Sequence, residues 1–553
     1  MKNSILCTSF ALSTLALAGS PNNSLITPGA GQRGTEVEVV LSGARLMDAR
    51  SLLFNEPGIE VVSVAEAEAG KFKAKLKIAA DARLGEYVFR AVTSSGIADT
   101  RLFYVSPYPV QKEADEEKVD PYKVQAVPLG ATIYGSTPGE DQDHFEVELK
   151  KGQRLSAEVV AIRLSTQQQY DAFMSITKAD GTLVAEMDDG SFTRQDPALS
   201  IIAPADGKYR VMIREATNSG SGPCNYLLHI GSHPRPVVVY PGGGVAGSEM
   251  KVQMLGDAGG AFEQVVKLPA TPDSRLDVIA VKDGLPAPQV NYMRVSSFGN
   301  VLEVEPNNEF AKGTPSPGPL PLAFNGIIQE KGDVDFFKFT ATKGAVFDFK
   351  VHARSLRSPL DSVLSIHDAK GGQLAANDDQ GSPDSVQRWT VPADGDFFVA
   401  VKDQLGRGGP LFTYRVEVAP VQAGLFGYLP DMVINSTQER RAVPVPKGNR
   451  YSTLVRVKKV DVGGDIVVEP QQLPAGVTIS TTKMDKSVDT IQWSSRPKRT
   501  RPRCKRRSPL SPNSPSRQPA RTSSPKWTTA WKSPRTATNV PITEWMNRRS
   551  PSR

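Results

Sequence analysis

The sequence predicts an all-β chain of serial β-sandwich domains, and three observations carry that prediction. Apolar and polar residues alternate with period two over many short runs. Glycine (46) and proline (43) punctuate those runs, and no segment sustains an amphipathic helix over three turns. A long internal repeat then divides the chain into duplicated modules. At 553 residues, a soft prior of about 150 residues per domain suggests three to five domains. A composition of 39% hydrophobic and 23% charged residues excludes fibrous, collagen-like and polytopic membrane proteins.

Residues 1–18 read as an export signal. Lys2 supplies the positive start, Ile5 to Leu17 the short apolar core, and Ala16-Leu17-Ala18 the small-x-small pattern before Gly19. No other stretch approaches the roughly 20 apolar residues of a membrane helix. The expected localisation is therefore exported: secreted, periplasmic or at the cell surface, with no membrane span. Of three cysteines, Cys7 lies in the signal, leaving Cys224 and Cys504. Two scattered thiols form neither a disulfide framework nor a zinc site.

Residues 19–111 are expected to form a first β-domain. Thr35 to Leu41 alternates, as do Tyr87 to Val92 and Lys71 to Ile78, where Phe72, Ala74, Leu76 and Ile78 share one side. Residues 112–231 and 301–420 are the repeat. Asp141-Gln142-Asp143-His144-Phe145 returns as Asp333-Val334-Asp335-Phe336-Phe337, at an offset of 192. Tyr170-Asp171 returns as Leu360-Asp361 at 190, and Pro204-Ala205-Asp206-Gly207 as Pro392-Ala393-Asp394-Gly395 at 188. Matches in one order with so little drift mark a duplication. Pro28 to Gly34 and Pro241 to Gly247 also rhyme, so residues 232–300 are expected to repeat the first domain. Residues 421–492 begin a further β-domain that is cut short.

From 493 the pattern breaks. Residues 496–553 hold twelve Arg and four Lys against Glu544 alone, so the net charge of +7 divides into about +15 there and −8 before it. A basic arm, disorder, or residues read out of frame are the three readings of 493–553, and the abrupt loss of pattern after Gln492-Trp493 favours the last. No nucleic-acid partner is inferred from the tail.

Glu303-Val304-Glu305-Pro306-Asn307-Asn308, Gly332-Asp333-Val334-Asp335-Phe336-Phe337, Asn377-Asp378-Asp379 and Pro392-Ala393-Asp394-Gly395 together resemble the bacterial pre-peptidase C-terminal domain. That family is a jelly-roll-like β-sandwich attached to secreted peptidases and found in collagen-binding modules of bacterial collagenases. The resemblance covers about 301–420 strongly and 112–231 weakly. The glycine-entry segments look like TIG-type immunoglobulin-like domains, and the serial layout is similar to large exported proteins of planctomycete-type bacteria.

The residues themselves point to calcium, which takes six to eight oxygen ligands from separate loops. Glu303 and Glu305 lie two apart, so in an extended segment they share a face that Asn307 continues; Asp333 and Asp335 repeat that spacing. The resemblance implies that the two segments meet, giving Glu303, Glu305, Asn307, Asn308, Asp333 and Asp335 as the ligand set. Asp141 and Asp143 are a second, weaker candidate site, because Glu113-Ala114-Asp115-Glu116-Glu117 stands where the other module has Glu-Pro-Asn-Asn. Turn chemistry is the alternative for all of these, since Asp and Asn initiate turns with their own side chains. Asp188-Asp189 and Asp378-Asp379 read as turn residues, and the phenylalanines at 336, 337, 339, 347 and 349 as core.

None of the five histidines sits in a hydrolase or metallopeptidase motif, and Gly242-Gly243-Gly244 lacks the lysine and helix of a phosphate loop. The expectation is a non-catalytic exported binding or scaffold protein engaging an extracellular or cell-surface polymer or protein. The alternative is an accessory region of a secreted peptidase whose catalytic domain is not in this chain.

Overall fold

The computed structural model describes residues 21–428 apart from 115–122, 165–169, 191–192, 194, 223, 380–381 and 422, together with most of 450–497 and residues 528–532. The expected export signal lies outside the described residues. Strands dominate, and the only helical elements among the described residues are three single 3₁₀ turns. None is long and apolar enough to cross a membrane.

The first domain is two four-stranded sheets packed face to face. Strand Lys71–Ile78 shows why the alternation mattered: Phe72, Ala74, Leu76 and Ile78 are buried while the intervening lysines face out. They pack on Val39, Leu41, Tyr87, Phe89 and Phe103. The third domain keeps the same entry, a short glycine strand lying parallel to the last strand. Ala30 pairs with Tyr104 in the first domain and Gly243 with Arg294 in the third. It is a reduced copy, with three strands in each sheet. Where a strand is missing, the side-chain amide of Gln264 substitutes for one, donating to Ile279 O (2.9 Å) and accepting from Val281 N (2.8 Å).

The two modules agree strand for strand. Each has two five-stranded sheets with the same spatial order, so the duplication read from the sequence is a duplication of topology. Each is entered by a short parallel strand, Val110–Lys112 or Asn300–Leu302, that pairs with the strand Ala131–Ser136 or Leu322–Ile327. Val110–Lys112 therefore belongs to the second domain, which moves the first boundary slightly earlier than 111. Of the phenylalanines expected in the core, Phe337, Phe339, Phe347 and Phe349 are buried. Phe336 instead lies half-buried on the outer face, beside His367, because alternation turns it away from Phe337.

The domains are joined by side chains as well as by chain. In the first unit Ala30, Tyr104, Tyr134, Val160, Leu164 and Leu227 form a mainly apolar joint, with Ser106 Oγ and Thr132 Oγ1 hydrogen-bonded beside it (2.6 Å). In the second unit the equivalent joint is polar: Arg294 donates to both oxygens of Glu417 (2.9 and 2.8 Å), and Arg415 reaches Ser296, Asn300 and Glu417. The third domain also meets the first through Tyr104 Oη to Pro288 O (2.7 Å) and the second through Arg154 to Asp257 (2.7 Å).

Beyond the second module, a four-stranded sheet runs from Gly424–Tyr428 to Thr490–Pro497. Its strand Thr490–Pro497 runs past the expected end at 492. Within the tail, expected to be unstructured or out of frame, Thr528–Lys532 is a strand paired antiparallel with Val467–Gln471. The remainder of 498–553 lies outside the described residues.

Candidate metal centre

Segment 300–305 leaves the parallel pairing with the strand Leu322–Ile327 and carries Glu303 and Glu305 towards the start of the strand Val334–Ala341. Both carboxylate oxygens of Glu303 accept the Ile327 N–H (2.9 and 3.0 Å), and Glu305 Oε2 accepts the Asn307 N–H (2.8 Å). The Asn307 carbonyl in turn accepts Phe336 N–H (3.1 Å), which ties the two segments together. Asp335 shares the inward face of its strand with Phe337 and Phe339, so it is fully buried at the edge of the core. Glu303, Glu305 and Asp335 thereby place carboxylate oxygens within 4.8 Å of one another.

Tyr414 donates to Asp335 Oδ2 at 2.6 Å. Asn307 is fully buried beside the carboxylates. With its amide oxygen inward it faces only acceptors, which a cation would satisfy. Turned over, its nitrogen donates to Asp335 Oδ1 (3.1 Å) and Glu305 Oε2 (3.2 Å). Burial pushes the Asp335 carboxyl up to about 9, reinforced by the neighbouring Glu303. It raises Glu303 to about 7 as well, although Ile327 N–H opposes the shift. Buried Asp335 and half-buried Glu303 are thus both held above the ordinary carboxylate range, because like charges out of water oppose each other's ionisation.

Of the six residues expected to converge, three are brought together as carboxylates, and Asn307 joins them. Asp333 is buried in the preceding turn, where Oδ2 accepts Gln329 N–H (2.7 Å) and Oδ1 has no hydrogen-bond partner. Asn308 is exposed. The donor set, all oxygen from two separate segments, suits calcium or another hard cation better than zinc.

The first module holds a reduced version. Tyr226 Oη lies within hydrogen-bond distance of both Asp143 Oδ2 (2.7 Å) and Glu113 Oε2 (3.1 Å), and Glu113 accepts Ser136 N–H. Burial, with Glu113 next to it, raises Asp143 to about 8. Asp141 lies in the turn before the strand, its N–H on Pro138 O (3.1 Å). Glu113 was missed by sequence reasoning, which compared the Glu-Pro-Asn-Asn block as a whole. It could have been found from Gly135 and Gly326, which share a nearly equal distance from their glutamates. A Cβ on either glycine would overlap the glutamate oxygen and the tyrosine ring.

Four of the five histidines are accounted for by packing. His229 and His233 are fully buried against Tyr104 and Tyr108, His352 faces Glu417, and His367 lies between Ser365 Oγ (2.9 Å) and Gly371 O (3.1 Å). Asp378 and Asp379 lie beyond the end of their strand, with Asp379 N–H on Asp378 Oδ1, as turn residues do.

No protein-family model matches the chain. Over 100 residues it is 43% identical to a probable subtilase-type serine protease of Deinococcus radiodurans. The match takes in 18% of this chain and only 14% of that protein's length. Among solved structures it is similar to the pre-peptidase C-terminal domain of a Bacillus anthracis collagenase. That likeness is 14% identical and covers 19% of this chain and 95% of the other, with a TM-score of 0.16. It is also similar to SGBP-B of the Bacteroides ovatus mixed-linkage glucan utilization locus. There the identity is 11%, the coverage 71% and 72%, and the TM-score 0.14.

Proposed function

We propose that this chain is an exported, non-catalytic scaffold whose β-sandwich modules engage an extracellular or cell-surface polymer, with calcium held in the second module. The observation that carries the calcium reading is the convergence of Glu303, Glu305 and Asp335 on one point, with buried Asn307 beside them. Asp333, whose Oδ1 is buried without a hydrogen-bond partner in the adjoining turn, is proposed as a further ligand. Asn308 is a ligand only if its exposed side chain turns inward. Calcium at this point would replace the protons shared by the acids and tie segment 303–307 to the strand Val334–Ala341. The polymer reading rests on the duplication of the β-sandwich modules.

The test is calorimetric unfolding of the whole mature chain with calcium and with chelator. A ligand that binds only the folded state stabilises it by about 2.7 kcal/mol at one hundred times its Kd. The expected outcome is a higher midpoint with calcium, lost in Asp335→Asn. An unchanged midpoint would remove calcium from the account and leave the acids as turn and core-edge residues.

A second reading is favoured by one observation, the local 43% identity to a subtilase-type protease. In that reading the chain is an accessory region acting beside a secreted serine peptidase. Labelling the native secretome with a fluorophosphonate probe and recovering this chain tests it. A labelled serine peptidase joined to or co-purifying with the chain supports the accessory reading, and its absence supports the free-standing scaffold.

A further inference from the structure

The candidate calcium site lies back to back with the joint between the third domain and the second module. Segment 300–305 serves both: Asn300 Nδ2 donates to Gly243 O of the third domain (2.7 Å), and Glu303 and Glu305 follow it. The strand Thr413–Pro420 also serves both. Tyr414 turns inward to Asp335, while Arg415 turns outward to Ser296 Oγ (2.9 Å) and Asn300 Oδ1 (2.6 Å). Asn325 is the residue between them. Its side chain accepts from Arg415 (3.3 Å), and its carbonyl accepts Glu303 N–H (3.0 Å).

That same carbonyl is approached by Tyr240 Oη, at 3.4 Å, from the end of the third domain's first strand. The distance is long for an O–H···O bond, whose ordinary range ends near 3.0 Å. A small closing movement would bring it into range. Arginine, asparagine and carboxylate partners can re-form across small shifts, whereas the first unit's joint is mainly apolar, with the Ser106–Thr132 hydroxyl pair (2.6 Å) beside it. At the corresponding place in the first unit stands Thr27, whose hydroxyl meets Tyr134 Oη.

We propose that Tyr240, supplied by the preceding domain, is a positioning residue for the calcium site, so that filling the site closes the joint of the second unit while the apolar joint of the first stays as it is. The inference rests on the calcium reading above. Drawing Glu303 and Glu305 onto a cation pulls segment 300–305, and with it the Asn300 contact to Gly243. Tyr240 fixes the carbonyl that holds Glu303's own backbone.

The experiment places spin labels on the whole mature chain with Cys504→Ser. Glu263→Cys and Leu374→Cys report the second joint; Val62→Cys and Leu183→Cys report the first. Distances are read by double electron–electron resonance with calcium and with chelator, and calcium binding is measured separately by titration calorimetry. The expected result is a calcium-dependent narrowing or shortening across the second joint only. Tyr240→Phe should weaken calcium binding about fivefold or more and abolish the narrowing, with its thermal midpoint in chelator unchanged.

Calcium binding with no change in the second distance overturns the coupling and leaves the proposed function standing. No calcium binding at all overturns that function and the coupling with it. A Tyr240→Phe chain that binds and narrows like the parent removes Tyr240 from the account. Should that variant fail to fold, the distances in the parent chain still decide whether the joint responds.

Discussion

Gly326 shows how little room the carboxylate cluster leaves. A methyl group there would overlap both Glu303 Oε2 and Tyr414 Oη, and neither can retreat without releasing the Ile327 N–H or Asp335. Gly326→Ala should therefore destabilise the second module by roughly 1–3 kcal/mol, the usual cost of overpacking. It should also abolish any calcium-dependent rise in midpoint. Differential scanning calorimetry with and without calcium checks both effects. Gly135→Ala makes the same demand on Glu113 and Tyr226, and should destabilise the first module to a similar degree. The spacing of Glu303, Glu305, Asp333 and Asp335 was legible because a period of two is a property of any extended chain. The roles of Tyr414, Tyr226 and Glu113 were not. Each acts through a partner far away in sequence, and nothing local marks a tyrosine whose hydroxyl meets a buried acid.

At the scale of elements, the alternating strands of the first domain were legible because a sandwich with one wet face imposes its pattern on every strand. Strand Lys71–Ile78 obeys it throughout. The entry strands Val110–Lys112 and Asn300–Leu302 were not legible, since three residues are too few to show a period. Nor was the reduced third domain, where a side chain takes over a backbone role. That substitution is testable. Gln264→Leu keeps the bulk but leaves Ile279 O and Val281 N without the amide, which should cost about 1–2 kcal/mol. Hydrogen exchange at the Val281 amide should speed up markedly while exchange in the strand Glu249–Leu255 holds steady. Unchanged exchange at Val281 would mean that water serves as well as the glutamine.

For the whole molecule, the junction of the domains is where acid should act. Burial alone would raise the Glu158 carboxyl, but Arg235, Arg163 and Arg357 overcome it and hold it at about 2. Burial lowers His229 to about 3 and His233 to about 4. Both effects have the same sign in acid. Below about 6.5 the unfolded chain takes up histidine protons that the folded chain refuses, so stability falls as pH drops towards 4 and 3. Below about 4.5 the unfolded chain also protonates the glutamate, and stability falls further towards pH 2. The junction's own contribution to stability should therefore decline progressively below pH 6.5, opposed by the Asp335, Glu303 and Asp143 carboxyls, whose raised values add stability as pH falls. In His233→Phe, which keeps a ring against Tyr108, the decline between pH 6.5 and 4 should be shallower by roughly 1.4 kcal/mol per unit. Equal slopes in the two proteins would mean that the histidine is reached by water before the domains part.

Because Val110–Lys112 and Asn300–Leu302 are strands of the sheets they lead into, neither module hangs from a tether. The stretch between one module's sheets and the next is taken up by packed domain, with no slack chain to pay out. For a ligand that repeats along its length, the two modules would then act as marks on a ruler. A period that matched the marks would give a second contact with little further ordering, and a mismatched one could not be rescued by stretching. Discrimination among polymers would come from their pitch as much as from their chemistry.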